Sequence, residues 1–146
     1  MKKKILLVED EEGLRKIFSD ESVICFAVLD NDRVIANTFL NKLENITEEL
    51  FDGYWDPSTY TTYGENNTYY ANSVAVLPEY RNKGLAYKLK EKSLNYLKNK
   101  GVKYVIGHAH EGNMFNINKK FGAVVVKELV NWMDSGETHY LYQIEL

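Results

Sequence analysis

Chemistry along this chain concentrates at one junction. An apolar run through Val74, Ala75 and Val76 is stopped by Pro78, and Arg81-Asn82-Lys83-Gly84-Leu85-Ala86 then opens an amphipathic stretch that continues to Lys100. A strand, a turn and a helix start therefore fall in one short segment. The first amides of a helix have no intrahelical acceptor, and the aligned peptide dipoles place roughly half a positive charge at that end. Such an end suits a phosphate or pyrophosphate. Gly84 lets a ligand oxygen approach the backbone where a Cβ would obstruct it. Arg81 and Lys83 add cationic side chains at the same opening. The same residues also read as a plain strand-to-helix turn with a glycine for close packing and two solvated bases. The turn is not a nucleotide-hydrolase phosphate loop, because the Gly-Lys-Ser/Thr ending is absent, and it lacks the three glycines of the dinucleotide fingerprint.

Other reactive side chains are scattered. Glu65 precedes a strand at Thr68 to Leu77 and is placed either to reach an amine through water or to sit as a solvated loop acid. His108 and His110 alternate with Ala109, so both face one side of a strand end, as polar caps or, for His110 at the cleft, as a proton carrier. Two histidines at strand spacing with Glu111 lack a third convincing ligand, so no metal is expected. Tyr140 and Tyr142 on the last strand are proton donors or packing side chains. Phe51, Tyr54, Trp55, Tyr60 and Tyr63 are interspersed with Asp52, Asp56 and Glu65. That mixture suits a cationic amine through cation–π and charge contacts. It also suits a packed surface loop or a homodimer contact.

The elements that must position these groups fit one domain over the whole of 1–146, because 146 residues are enough for a single core and too few for two. A formal net charge of −3 offers no general attraction to phosphate backbones or anionic lipid, so nucleic acid and membrane partners are not expected. The longest clean apolar run, Val23 to Leu29, is far short of the roughly 20 residues that span a bilayer. Acids at Glu9 to Glu12 interrupt any leader-like start, and the expected location is cytoplasmic. Cys25 is the only cysteine, which excludes an internal disulfide. Its neighbours Val23, Ile24, Phe26 and Val28 mark it as a core thiol.

Ile5 to Val8 reads as a buried strand, followed by a helix carrying Leu14, Ile17 and Phe18. Ser22 to Leu29 and Arg33 to Leu40 form a hairpin about Asp30-Asn31-Asp32. The stretch from Asn41 to Asn67 is polar and aromatic, with a turn of helix at Thr47 to Phe51. Lys83 to Lys100 places Ala86, Leu89, Ser93, Tyr96 and Leu97 on one face of a helix and most lysines elsewhere. Lys103 to His108 is a strand, Met114 to Phe121 a short helix ending at Gly122, and Ala123 to Trp132 and His139 to Leu146 are closing strands. The expected class is α+β (mixed α/β), with a parallel crossover across the Lys83 helix.

Val74 to Ala86, with the preceding strand, its proline and the following helix, resembles the acetyl-CoA binding motif of the GNAT superfamily of N-acetyltransferases, whose signature is Arg/Gln-x-x-Gly-x-Gly/Ala. Asn113 to Gly122 is similar to that family's short helix, ending in Lys120-Phe121-Gly122. The resemblance implies a GNAT-type acyltransferase fold and acetyl transfer from acetyl-CoA to an amine-bearing acceptor in a ternary complex. The amides of Arg81, Asn82, Lys83, Gly84, Leu85 and Ala86 would hold the pyrophosphate. The edge at Val74, Ala75 and Val76 would pair with the pantetheine, and the Val74 amide would polarise the thioester carbonyl.

Two positions depart from the family pattern. Asn118 stands where many members carry a general-acid Tyr, next to the cofactor, and Asn cannot protonate a thiolate. Tyr70 stands where the histone-modifying branch carries a Glu base, and a neutral phenol is a poor base at pH 7. A catalytically weak CoA-binding or partner-binding module is therefore the alternative. Lys2 to Phe18 is also similar to the opening of a receiver domain, but the stretch that should supply the phosphorylated Asp, Glu44 to Leu50, is too polar for a buried third strand.

Overall fold

The computed structural model describes residues 22–46, 51 and 53–146. The strand expected at 5–8, the helix after it, the acids at 9–12, the receiver-like segment, residues 47–50 of the expected helical turn and Asp52 lie outside the described residues.

Strand β1 (Ile24–Asp30) and strand β2 (Arg33–Lys42) form the expected hairpin. Its turn is Asn31-Asp32, both left-handed, with φ of 48° and 66°. Short polar side chains tolerate that conformation, and its twist matches that of the paired strands. Strand β3 (Thr68–Val76) leads through a turn to helix α1 (Leu85–Asn99) and strand β4 (Tyr104–His110). Helix α2 (Asn113–Lys120), strand β5 (Val124–Leu129) and strand β6 (His139–Glu145) complete the described chain. β5 is shorter than the sequence indicates, because Trp132 leaves the strand for a separate turn, Trp132–Asp134. The six strands make one mixed sheet in the order β1-β2-β3-β4-β6-β5, with only β3 and β4 parallel. A parallel pair needs a crossover, and α1 supplies it.

The sheet has two different faces. Tyr69, Ala71, Val105, Ala109 and Ile144 pack with Leu94 and Leu97 of α1 and Phe115 of α2. On the other face Tyr70, Ile106 and Leu141 pack with Leu43, Phe51, Trp55 and Trp132. The buried stripe of α1 is Leu89, Lys90, Ser93, Leu94 and Leu97. Tyr96, expected inside, is 46% exposed, and Lys90, which the expected apolar face does not include, is 3% exposed.

The feature that matters for function is a fork. β3 pairs with β4 only from Thr68↔Tyr104 to Tyr70↔Ile106, although it stays paired with β2 as far as Val76↔Ala36. Between Leu40↔Ala71 and Thr38↔Val74 the register slips, so β3 carries one extra residue there. Such a bulge bends its strand. The Asn72 Nδ2 donates to Asn41 Oδ1 at 2.5 Å beside the bulge. At the apex sits Gly107. A Cβ on it would lie 2.6 Å from the Tyr142 hydroxyl oxygen, 2.8 Å from Tyr142 Cζ and 3.0 Å from the Ala71 carbonyl oxygen. The phenol ring of Tyr142 therefore lies against bare backbone where the strands part.

Replacing Gly107→Ala should destabilise the protein by about 1–3 kcal/mol, the usual cost of overpacking. Chemical denaturation reads this directly. An unchanged midpoint would mean that the ring is not seated there.

Candidate functional site

A cleft of about 1100 Å³ opens in the fork. Val74 to Leu77 line one wall, residues 84–87 of the α1 start a second, and His110 with Asn113, Met114, Ile117 and Lys120 a third. Its cationic side chains are Arg81 and Lys120, and among the described residues its lining has no carboxylate. The direction of the β3 amides follows from the register. The Leu77 N–H donates to the Ile35 carbonyl at 2.9 Å, so Ala75, two residues back, also faces β2. Val74 and Val76 therefore turn their amides toward the side β4 has vacated. The Val76 carbonyl is taken by the Arg81 Nε at 3.0 Å.

The strand meets the helix through a braced turn. Pro78–Tyr80 forms a single helical turn, and the Tyr80 hydroxyl donates to Asp30 Oδ2 at 2.5 Å. Arg33 meets Glu79 at 3.2 Å, an exposed pair that contributes little. Asn82 and Gly84 are left-handed, with φ of 62° and 77°. The first bond into α1 runs from the Lys88 N–H to the Gly84 carbonyl at 3.1 Å. The amides of residues 82–87 meet no backbone acceptor among the described residues. Apart from Gly84 and its two chain neighbours, no protein atom among the described residues lies within 4 Å of where a Gly84 Cβ would be. The open space at the end of the helix is thus bounded by amides and cations.

Most sequence-predicted binding residues meet here: Val74, Ala75, Val76, Arg81, Asn82, Gly84, Leu85, Ala86 and His110 all line the cleft. Lys83 does not, and its Nζ lies over the Tyr80 ring, 5.4 Å from the centroid. Asn118 faces away. It is buried, its carbonyl accepts from the amides of Phe121 and Ala123, and its side-chain oxygen has no partner. Glu65 is also misplaced by the sequence reading, because it precedes the first residue of β3 while Val74 is near its last. The strand from Thr68 to Val74 alone spans about 20 Å at roughly 3.3 Å per residue. The Glu65 carboxylate instead accepts from Asn67 Nδ2 at 3.4 Å.

Tyr70 points to the other face, where its hydroxyl meets His108 Nδ1 at 2.7 Å. Burial, the nearby Tyr142 phenol adding to it, raises the Tyr70 phenol well above its usual range and keeps it neutral. His108 is enclosed by rings: Trp132 stacks on it at 4.4 Å, and Trp55 meets it edge-on at 4.8 Å. Burial, with His139 nearby, pushes its pKa down to about 3. His108 and His110 thus share a strand face and the neighbour His139, but the aromatic rings enclose only His108. The aromatic loop is largely packed: Phe51, Trp55 and Tyr60 are buried. Burial also pushes the Tyr60 phenol up to about 12, with Tyr104 adding to it. Only Tyr54 and Tyr63 of that group are exposed, and the Tyr54 hydroxyl donates to the Asp134 carboxylate. Among the described residues no cluster of three or more His, Cys, Asp or Glu side chains could hold a metal ion, and no helix is long and apolar enough to cross a membrane.

The model of the acetyltransferase (GNAT) family matches residues 6–119. No curated protein sequence matches the chain. Among solved structures, the ribosomal-protein-S18-alanine N-acetyltransferase from Escherichia coli superposes with a TM-score of 0.65 at 16% identity, covering 89% of this chain and 75% of that one. The ribosomal-protein-alanine N-acetyltransferase from Brucella melitensis gives 0.67 at 12% identity, over 98% and 81% of the two chains. A GNAT family acetyltransferase from Elizabethkingia anophelis with acetyl-CoA bound gives 0.65 at 16% identity, over 94% and 84%. At these identities the likeness is one of fold.

The caged histidine gives a pH signature. Its folded pKa, about 3, lies below the ordinary 6.5, so below pH 6.5 the unfolded chain takes up a proton that the folded chain refuses. Stability contributed by neutral His108 is present above pH 6.5 and is lost as pH falls toward 3. Its share of the slope should approach about 1.4 kcal/mol per pH unit. Denaturation midpoints of wild type and His108→Phe measured across that window should converge at low pH. Parallel curves would refute the burial of a neutral imidazole.

Proposed function

Since the chain belongs to the acetyltransferase (GNAT) family, matched over residues 6–119, we propose that it is an N-acetyltransferase moving an acetyl group from acetyl-CoA to a primary amine of a small molecule, peptide or protein. The observation that carries this reading is the unpaired edge at Val74 and Val76 lying beside a helix start with unpaired amides. The amides around Asn82 to Ala86 bind the pyrophosphate, with Arg81 and Lys120 offsetting its charge. The pantetheine amides pair with Val74 and Val76 as an added strand would. The Val74 N–H then donates to the thioester oxygen, where negative charge gathers as the amine attacks. One preorganised donor of this kind is worth about 3 kcal/mol in acyl transfer. Holding amine and thioester together in the fork supplies a further share of the rate. The chain acts as one catalytic unit in the cytoplasm.

The burial of Tyr70 and Asn118 favours a second reading, a CoA-binding module with little turnover. Thiol release from acetyl-CoA across a panel of primary amines decides between them. Release supports the enzyme, whereas thermal stabilisation by acetyl-CoA without release from any amine supports the module. For the binding site itself, Gly84→Asn is the informative change, because Asn tolerates the left-handed backbone while its side chain fills the open space. Acetyl-CoA affinity should fall by at least about tenfold, roughly 1.4 kcal/mol, with little change in Tm. Undiminished affinity would place the pyrophosphate elsewhere.

A further inference from the structure

Tyr80 ties together parts of the chain that are distant in sequence. It ends the single helical turn before Arg81, and it lines the cleft. Its hydroxyl donates at 2.5 Å to Oδ2 of Asp30, the final residue of β1. That bond lifts the phenol above its ordinary pKa, so the hydroxyl stays protonated and donates. On the other side, the Lys83 ammonium lies over the Tyr80 ring, 5.4 Å from its centroid. One rigid side chain therefore joins the end of the β1–β2 hairpin to residues on both sides of the left-handed Asn82.

The turn has few other ties. The Arg81 N–H meets the Pro78 carbonyl at 3.3 Å and the Arg81 Nε meets the Val76 carbonyl, and both anchors precede Asn82. The amides of residues 82–84 meet no backbone acceptor among the described residues. On the side away from α1, the direction of those amides is set by what holds Tyr80 and Lys83. A hydrogen bond to a carboxylate is stronger than one between neutral groups, and a tyrosine reaches it with little loss of side-chain freedom. Asp30 also places a negative charge one phenol ring away from a turn that suits an anion. Like charges repel, so the hydroxyl that Asp30 holds accounts for its position better than any direct help to the ligand.

We propose that Asp30 and Tyr80 are positioning residues for the diphosphate-binding turn, with the hairpin end holding the amides of residues 82–84 in the arrangement that receives the cofactor. This rests on the acetyl-CoA reading above. No proton or group is transferred by either residue. Their contribution is preorganisation, which removes the cost of ordering the turn when the ligand arrives. The effect is therefore confined to ligands that carry the diphosphate.

Tyr80→Phe keeps the ring beneath Lys83 and removes only the hydroxyl, whereas Asp30→Ala removes the acceptor. In either variant the KM for acetyl-CoA should rise about fivefold, with kcat within about twofold of wild type. Acetyl-pantetheine is the same thioester without the nucleotide and diphosphate, and its kcat/KM should stay within about twofold. A general loss of structure would lower both. Asp30→Asn keeps an acceptor oxygen and should hold the acetyl-CoA KM within about twofold of wild type. The double variant Asp30→Ala/Tyr80→Phe should be no worse than either single variant, because both act through one bond. If no amine is turned over, the affinities for CoA and for pantetheine carry the same comparison. An acetyl-CoA KM unchanged in both single variants, an equal loss with acetyl-pantetheine, or losses that multiply in the double variant overturn the proposal and leave the acetyl-transfer reading standing. Wild type that fails to bind acetyl-CoA overturns both.

Discussion

The early end of β3–β4 pairing is the constraint on which the rest of this structure depends. Backbone amides seek partners, and two parallel strands in contact would ordinarily go on pairing. Here the extra residue between Ala71 and Val74 bends one strand, and the Tyr142 ring over Gly107 fills the gap as the other departs. The freed groups of Val74 and Val76 belong to half-buried residues, where water can satisfy them, so the fork costs far less than it would in the core. A free strand edge also invites unwanted pairing. Arg81 answers part of that hazard by capping the Val76 carbonyl, and Pro78 ends the edge two residues later.

The two faces of the sheet divide the work unequally. On the helix face the cleft reaches the fork between α1 and α2, with a cationic lining. On the other face Phe51, Trp55, Tyr70 and Trp132 close around His108. Aromatic pairs of this kind contribute about 0.5–1.5 kcal/mol each beyond their buried area. The long segment between β2 and β3 is therefore, over its described part, a structural cover. Of its described aromatic side chains only Tyr54 and Tyr63 are exposed.

Local chemistry was legible in the sequence. The left-handed Asn31-Asp32 turn, the stop at Pro78 and the Gly84 helix start each depend on a few adjacent residues, and each lies where the pattern places it. Long-range consequences were not legible. Glu65 is close to the central strand in sequence yet at its opposite end in space, because an extended strand carries the chain far in few residues. Asn118 aligns with a cofactor-facing position but turns inward, and no pattern in a short helix fixes which way one polar side chain points. His108 and His110 alternate correctly, but nothing in that alternation tells of the rings that enclose only the first. For Lys90 a signal existed: it falls at helical spacing among Ala86, Leu89, Ser93 and Leu97, a lysine inside an otherwise packed stripe.

That lysine belongs to a set of three residues that cannot be understood singly. Gly107 on β4 leaves room for the Tyr142 ring from β6, and the Tyr142 oxygen is the partner that the Lys90 ammonium from α1 meets in the interior. A larger residue at Gly107 displaces the ring and strands the charge, and a smaller residue at position 142 opens a void at the fork as well. Residues linked in this way couple by about 0.5–3 kcal/mol, so their substitutions do not add. An apolar side chain at position 90 would pack there with less penalty, since a buried ion rarely repays its desolvation. The phenol oxygen is the one side-chain hydrogen-bond partner that the Lys90 ammonium meets among the described residues, so the two positions can be exchanged only together.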